Sequence, residues 1–150
     1  MPHAKTILLV EDNDGDAELA VRAFKRANVA NPLVRVRDGE EALDYLFGRG
    51  AYAKRDVRDL PGVTLLDINM PKVGGLKVLE KIRTDELTKH IPVVVLTSSN
   101  EERDRLNAYS NHANSYVLKP TDYNQFVEAA LQLGSYWLVL NVPPPVPQVQ

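Results

Sequence analysis

The 150-residue chain has no cysteine, so disulfides, thiolate metal sites and a cysteine nucleophile are all excluded. Histidine is scarce. His3, His90 and His112 share no ligand spacing and read as surface residues. Charge of one sign is also lacking: 18 Lys and Arg stand against 20 Asp and Glu, a net −2. That balance gives no electrostatic reason to expect nucleic acid or a membrane as partner. No window reaches the roughly 18 apolar residues of a membrane span. The opening Met1-Pro2-His3-Ala4-Lys5 lacks the apolar stretch of a signal peptide. These absences leave a soluble, cytoplasmic domain with one core and no internal repeat.

What is present is a regular alternation. Five short apolar runs, rich in β-branched residues, occupy 6–10, 33–36, 63–66, 93–96 and 116–118. They are nearly continuous rather than alternating, the pattern of strands covered on both faces. Helical segments lie between them. The first runs from 14 to about 28, capped by Asp14, with Ala20, Phe24 and Ala27 on one face. The second, 40–47, stops at Gly48, and Arg37-Asp38-Gly39 before it reads as a turn. The third, 76–83, has a stripe of Leu76, Leu79 and Ile82. Ser99-Asn100-Glu101-Glu102 has capping-box spacing ahead of Leu106 and Tyr109. A last helix starts at Thr121 or Asp122 and includes Phe126, Val127, Ala130 and Leu131. Five strands alternating with five helices predict an α/β fold with a parallel sheet and right-handed connections. Residues 48–62 form an unusually long connection. After a domain spanning 1–140, residues 141–150, "NVPPPVPQVQ", predict an extended tail.

In open parallel sheets, ligands bind outside the carboxyl ends of the strands. The first run ends in Glu11-Asp12, the third in Asp67, the fourth in Thr97-Ser98 and the fifth in Lys119-Pro120. Three carboxylates gathered at one edge repel, and Lys119 cancels only one of their charges. Oxygen ligands without His or Cys favour a hard divalent ion, Mg²⁺ or Mn²⁺. A carboxylate nucleophile beside a lysine, a hydroxyl and such an ion suits phosphoryl transfer through an aspartyl-phosphate. Each residue also has a plainer role. An Asp closing a strand is often a turn former, and Glu11-Asp12-Asn13-Asp14 suits helix capping. Gly74-Gly75 lacks the Lys-Ser/Thr of a phosphate loop, so with Pro71 it reads as backbone room beside the site.

The blocks "ILLVEDNDGD", "LLDINMPKVGGL", "VVVLTSS" and "YVLKP", in this order, resemble the signatures of response-regulator receiver domains over residues 5–138. The resemblance implies a doubly wound, flavodoxin-like (βα)5 fold with strand order 2-1-3-4-5. It implies Asp67 as phospho-acceptor, with Lys119 and Thr97 on the phosphoryl group. Glu11, Asp12, Asp67 and the backbone carbonyl of Asn69 would hold the metal, and Pro120 would follow a cis bond. Thr97 and Tyr116 would form the switch, and the side chains of Asn69 and Ser98 would tune access of water. The donor would be a sensor histidine kinase, which docks on the first helix around Ala17, Leu19 and Ala20. "VRDGEEALDYLFGRGAYAKRD" is similar to single-domain regulators that partner bacterial phytochrome kinases.

Two rival classes stand beside this reading. A Mg²⁺-dependent phosphohydrolase would use a second acid two residues after its nucleophile, where this chain has Asn69. A silent interaction module would not need the complete residue set. No DNA-binding domain follows, so the output is predicted to be protein–protein. Leu131, Leu133, Tyr136, Trp137, Leu138, Val139 and Leu140 cannot all face one core from one helix. They predict a homodimer surface carrying Tyr136, Trp137, Leu138 and Leu140, or else a tail folded over its own domain.

Overall fold

The computed structural model describes residues 4–70 and 73–148. Its strands are β1 (Ile7–Val10), β2 (Leu33–Val36), β3 (Val63–Leu66), β4 (Val93–Thr97) and β5 (Ser115–Leu118). Its helices are α1 (Asp14–Arg26), α2 (Gly39–Phe47), α3 (Gly75–Thr84), α4 (Glu102–Ser110) and α5 (Tyr123–Ser135). All the strands pair in parallel, in the order β2-β1-β3-β4-β5. The predicted architecture and strand order are both present.

The three central strands are buried on both faces and almost wholly apolar, Thr64 and Thr97 apart, because helices cover both sides of the sheet. Successive residues point to opposite faces. Ile7, Leu9, Val63, Leu65, Val94 and Leu96 pack against Ala17, Ala20 and Phe24 of α1 and Phe126 and Ala130 of α5. Leu8, Val10, Leu66, Val93 and Val95 pack against Ala42 and Leu46 of α2 and Val78, Leu79 and Ile82 of α3. Burying each Val, Leu or Ile stabilises the fold by about 1.5–3 kcal/mol, which holds the register firmly. Val10 pairs with Leu66, and Leu66 with Val95, so the residues that leave β1, β3 and β4 emerge at one edge.

The local signals resolved differently in several places. Asn13, not Asp14, caps α1, accepting from Asp16 N at 2.8 Å. Asp14 is the first helical residue and pairs instead with Arg35 and Arg37. The helix ends at Arg26, short of 28, because Asn28 turns left-handed at φ 61°. Asp38, read as a turn residue, caps α2 by accepting from Glu41 N. The capping box at Ser99 does not form: the Ser99 hydroxyl donates to Asp104, and α4 begins after Glu101 without a side-chain cap. Asp122 caps α5. The bond before Pro120 is not cis; the trans form is the intrinsically favoured one. Pro71 lies outside the described residues.

The long 48–62 connection is packed rather than loose. It contains a 3-10 turn, Gly50–Tyr52, and the Tyr52 hydroxyl donates to Glu41 at 2.6 Å. Burial, followed by that carboxylate, pushes the Tyr52 pKa up to about 12. Arg55 lies 4.1 Å over the Tyr45 ring and donates to the Tyr45 carbonyl. Beyond α5 the chain makes a π-helical turn, Tyr136–Leu140, and then an extended stretch. That stretch doubles back. Val146 packs on the core, and Arg58 donates to the Pro147 carbonyl at 2.9 Å. Pro143, Pro144 and Val146 sit beside Lys5, Pro61, Gly62 and Pro92, at the amino ends of the central strands.

Gly75 opens α3 against the backbone of Asp67. A Cβ there would lie 2.2 Å from the Asp67 carbonyl oxygen and 2.5 Å from Ile68 Cα. Gly75→Ala is expected to lower stability by about 1–3 kcal/mol in urea unfolding. A loss smaller than the scatter of the extrapolation would show that the loop gives way freely.

Candidate functional site

Four of the five strand ends deliver a polar side chain to the same place. Glu11 follows β1, Asp67 follows β3, Thr97 ends β4 and Lys119 follows β5. Glu11, Asp67 and Thr97 are buried, and Asp12 is exposed. The Lys119 ammonium is the hub, at 2.6 Å from Glu11 Oε1, 2.9 Å from Asp16 Oδ2 and 3.0 Å from Asp67 Oδ2. The other Asp67 oxygen, Oδ1, accepts from Thr97 Oγ1 and from Asn69 N, both at 3.0 Å. Glu11 Oε2 accepts from Asn13 N at 3.1 Å.

The structure thus brings together Glu11, Asp12, Asp67, Asn69, Thr97 and Lys119. Asp16 joins them, although its acid had no role assigned from sequence. Its signal lay in position alone: on the first turn of α1, Asp14 and Asp16 point to different partners, one to the β2 arginines and the other to Lys119. Ser98 is exposed at the rim. Ala17 and Ala20, expected on a docking surface, are buried beneath α1, and only Leu19 of that trio is partly open.

The charges are unbalanced. Carboxylate oxygens of Glu11, Asp12 and Asp67 all lie within 4.8 Å of one another, with Asp16 a fourth acid nearby; among the described residues Lys119 is the one cation bonded to Glu11, Asp16 and Asp67. Burial raises the Glu11 pKa to about 7, against the opposing pull of the Lys119 hydrogen bond. Burial also works against charge on Lys119, but its bonds to Glu11, Asp16 and Asp67 outweigh it and hold its pKa above the ordinary lysine value. Lys119 therefore stays an ammonium at neutral pH. A divalent cation would offset the burial that keeps this carboxyl partly protonated, by favouring its charged form. The donor set is all oxygen, so it fits Mg²⁺ or Mn²⁺.

A hydrogen-bonded path leads out of the site. Ser99 N donates to Thr97 Oγ1 at 3.3 Å, and the Tyr116 hydroxyl donates to the Ser99 carbonyl at 2.9 Å. Tyr116 is half-buried, with its ring 6.5 Å from that of Tyr109. The predicted interface set divides. Tyr136 and Leu140 are exposed, whereas Trp137 and Leu138 lean on the core. Val139 and Val142 extend the exposed part, at 78% and 88%.

The raised Glu11 pKa fixes a pH dependence. Between about 4.5 and about 7, folded Glu11 binds a proton that the unfolded chain has released. The metal-free protein therefore loses stability from this group as pH rises through that window. Thermal melts should show this fall in wild type, a flatter profile in Glu11→Gln, and growing Mg²⁺ stabilisation as Glu11 ionises. Parallel wild-type and variant profiles would contradict the assignment.

Comparison with known proteins agrees with this geometry. Residues 7–131 match the response regulator receiver domain family. The probable methanogenesis regulatory protein FilR2 of Methanothrix harundinacea is 43% identical over 92% of this chain and 86% of its own length. The phosphorylated cyanobacterial phytochrome response regulator RcpA superimposes with a TM-score of 0.87 at 38% identity, covering 95% of this chain and 100% of its own. The Mn²⁺-bound form of response regulator Rcp1, a protein known from Synechocystis, gives a TM-score of 0.83 at 35% identity, over 94% and 99%. Among the described residues no helix is long and apolar enough to cross a membrane. The chain is a response regulator receiver domain, and it resembles phytochrome-linked members of that family.

Proposed function

We propose that Asp67 accepts a phosphoryl group from a sensor histidine kinase and that the modified domain changes its protein partners. The observation that carries this is the convergence of Lys119, Thr97 and the Asn69 N–H on the two oxygens of Asp67. A carboxylate oxygen forms the new P–O bond as the donor's P–N bond breaks, and it has no proton to lose. Lys119 and Thr97 then carry over to the phosphoryl oxygens, which take the negative charge. Glu11, Asp12, Asp67 and the Asn69 carbonyl would hold Mg²⁺, which neutralises that charge when bound. Mn²⁺ suits the same oxygens, and Rcp1 has been seen with it. Catalysis is confined to the domain's own phosphorylation and slow dephosphorylation. A phosphohydrolase would need an acid where Asn69 stands.

The kinase is a bacterial phytochrome in this reading, supported by the likeness to RcpA across nearly the whole chain. The switch is Thr97 and Tyr116. Phosphorylation adds roughly two charges and three acceptor oxygens. Thr97 turning toward them releases Ser99 N, and through the Ser99 peptide it disturbs the Tyr116 hydrogen bond. Tyr136, Trp137, Leu138 and Leu140 mark the surface through which two copies associate. Its support is the exposure of Tyr136, Val139, Leu140 and Val142, with Trp137 and Leu138 partly open between them.

Labelled phosphoryl transfer from a bacterial phytochrome kinase should modify wild type rapidly, and Asp67→Asn or chelator should reduce labelling to background. Equal labelling of Asp67→Asn would sink the acceptor assignment, and preference for an unrelated kinase would sink the phytochrome link. Light scattering should give twice the 16.7 kDa chain mass, reverting to one chain in Leu140→Glu. A wild type that is monomeric with and without phosphorylation would rule out the dimer.

A further inference from the structure

Outside the cluster around Lys119, one nearly buried cation stands against the loop that carries two of the acids. Arg35 lies on the edge strand β2, with its side chain 18% exposed. Its Nε donates to the Glu11 carbonyl at 2.8 Å, and its Nη1 donates to Asp14 Oδ1 at 2.9 Å. Its Nη2 is buried with no hydrogen-bond partner among the described residues. A buried donor left unpaired is costly, so the guanidinium sits here for what its other two nitrogens hold. Arg37 reaches the same Asp14 oxygen at 2.8 Å, but from a side chain that is 65% exposed.

The bond to Glu11 matters because that carbonyl belongs to the peptide joining Glu11 to Asp12. A peptide is planar, so fixing the direction of its oxygen fixes the direction in which the Asp12 backbone departs. On the other side, Glu11 N donates to the Val36 carbonyl at 3.1 Å. The stretch Glu11–Asp14 is therefore tied to β2 at Glu11 N, at Glu11 O and at the Asp14 carboxylate, and Arg35 makes the last two ties. Asp12 lies between them, exposed and with no packing to orient it.

We propose that Arg35 is a positioning residue for the divalent cation, setting the Glu11–Asp12 peptide so that both carboxylates face one ion together with Asp67. The inference rests on the reading that these acids hold Mg²⁺. Two effects of removing Arg35 have opposite signs, which makes the idea testable. Losing a positive charge near a cation site tightens metal binding by electrostatics alone. Losing the grip on the peptide loosens it, by about tenfold if Arg35 acts like other residues that orient metal ligands. A lysine keeps the charge but cannot span both acceptors as a planar fork does.

The measurement is Mg²⁺ titration calorimetry on the full chain, with thermal melts to establish folding. Arg35→Met and Arg35→Lys should each weaken Mg²⁺ about tenfold. Labelling of Asp67 at saturating Mg²⁺ should recover to the wild-type extent. Arg37→Met should bind Mg²⁺ as well as wild type or better. Unchanged or tighter binding in Arg35→Met overturns the inference while leaving the metal site standing. So does equal weakening in Arg37→Met, which would place the effect in Asp14 pairing. Should Arg35→Met fail to fold, Arg35→Lys decides alone. A wild type that binds no Mg²⁺ overturns both the metal reading and this inference.

Discussion

A single ammonium group shared among three carboxylates holds the functional edge of this protein together. Lys119 reaches Glu11, Asp16 and Asp67, which come from three separate parts of the chain. An ion pair this buried contributes little net stability, because desolvation offsets the attraction. It does constrain geometry: it holds Asp67 Oδ2 while Thr97 and Asn69 hold Oδ1. Asp67 is thereby immobilised at both oxygens, so under the proposed function little orientation would remain to be lost in the reaction.

The rest of the fold serves to bring these groups level. Apolar strands buried on both faces cannot slip without moving every side chain to the wrong side of the sheet. The Val10–Leu66–Val95 register thus fixes the relative heights of Glu11, Asp67 and Thr97. The same logic accounts for Gly75, where α3 approaches the Asp67 backbone too closely for a side chain. Bringing Glu11 to this level also buries it, and that burial raises its pKa despite the hydrogen bond from Lys119.

The strands and the strand-end residues were legible in the sequence because two independent signals coincided: a β-branched apolar run, then a polar residue at its carboxyl end. Caps were less so. In Glu11-Asp12-Asn13-Asp14-Gly15-Asp16 nearly every residue is a competent cap, and only the backbone path decides that Asn13 performs it. Asp16 and Arg35 escaped notice for a related reason. Both act across long sequence separations, Arg35 on Glu11 and Asp16 on Lys119, and no local pattern encodes such pairings. The tail is extended, as its prolines predict, but proline-rich segments carry no periodicity, so nothing in the sequence marked Val146 as the residue that reaches the core.

The path of that tail has a geometric consequence. It runs beside Lys5, Gly62 and Pro92, residues just ahead of β1, β3 and β4, so it closes the pole of the sheet opposite to Asp67. The sheet therefore has two unlike ends, a charged end that carries Asp67 and an end covered by its own prolines. A protein bound beside residues 136–142 approaches from the sealed end and leaves the charged one accessible. Under the proposed function, donor and listener need not take turns on this molecule.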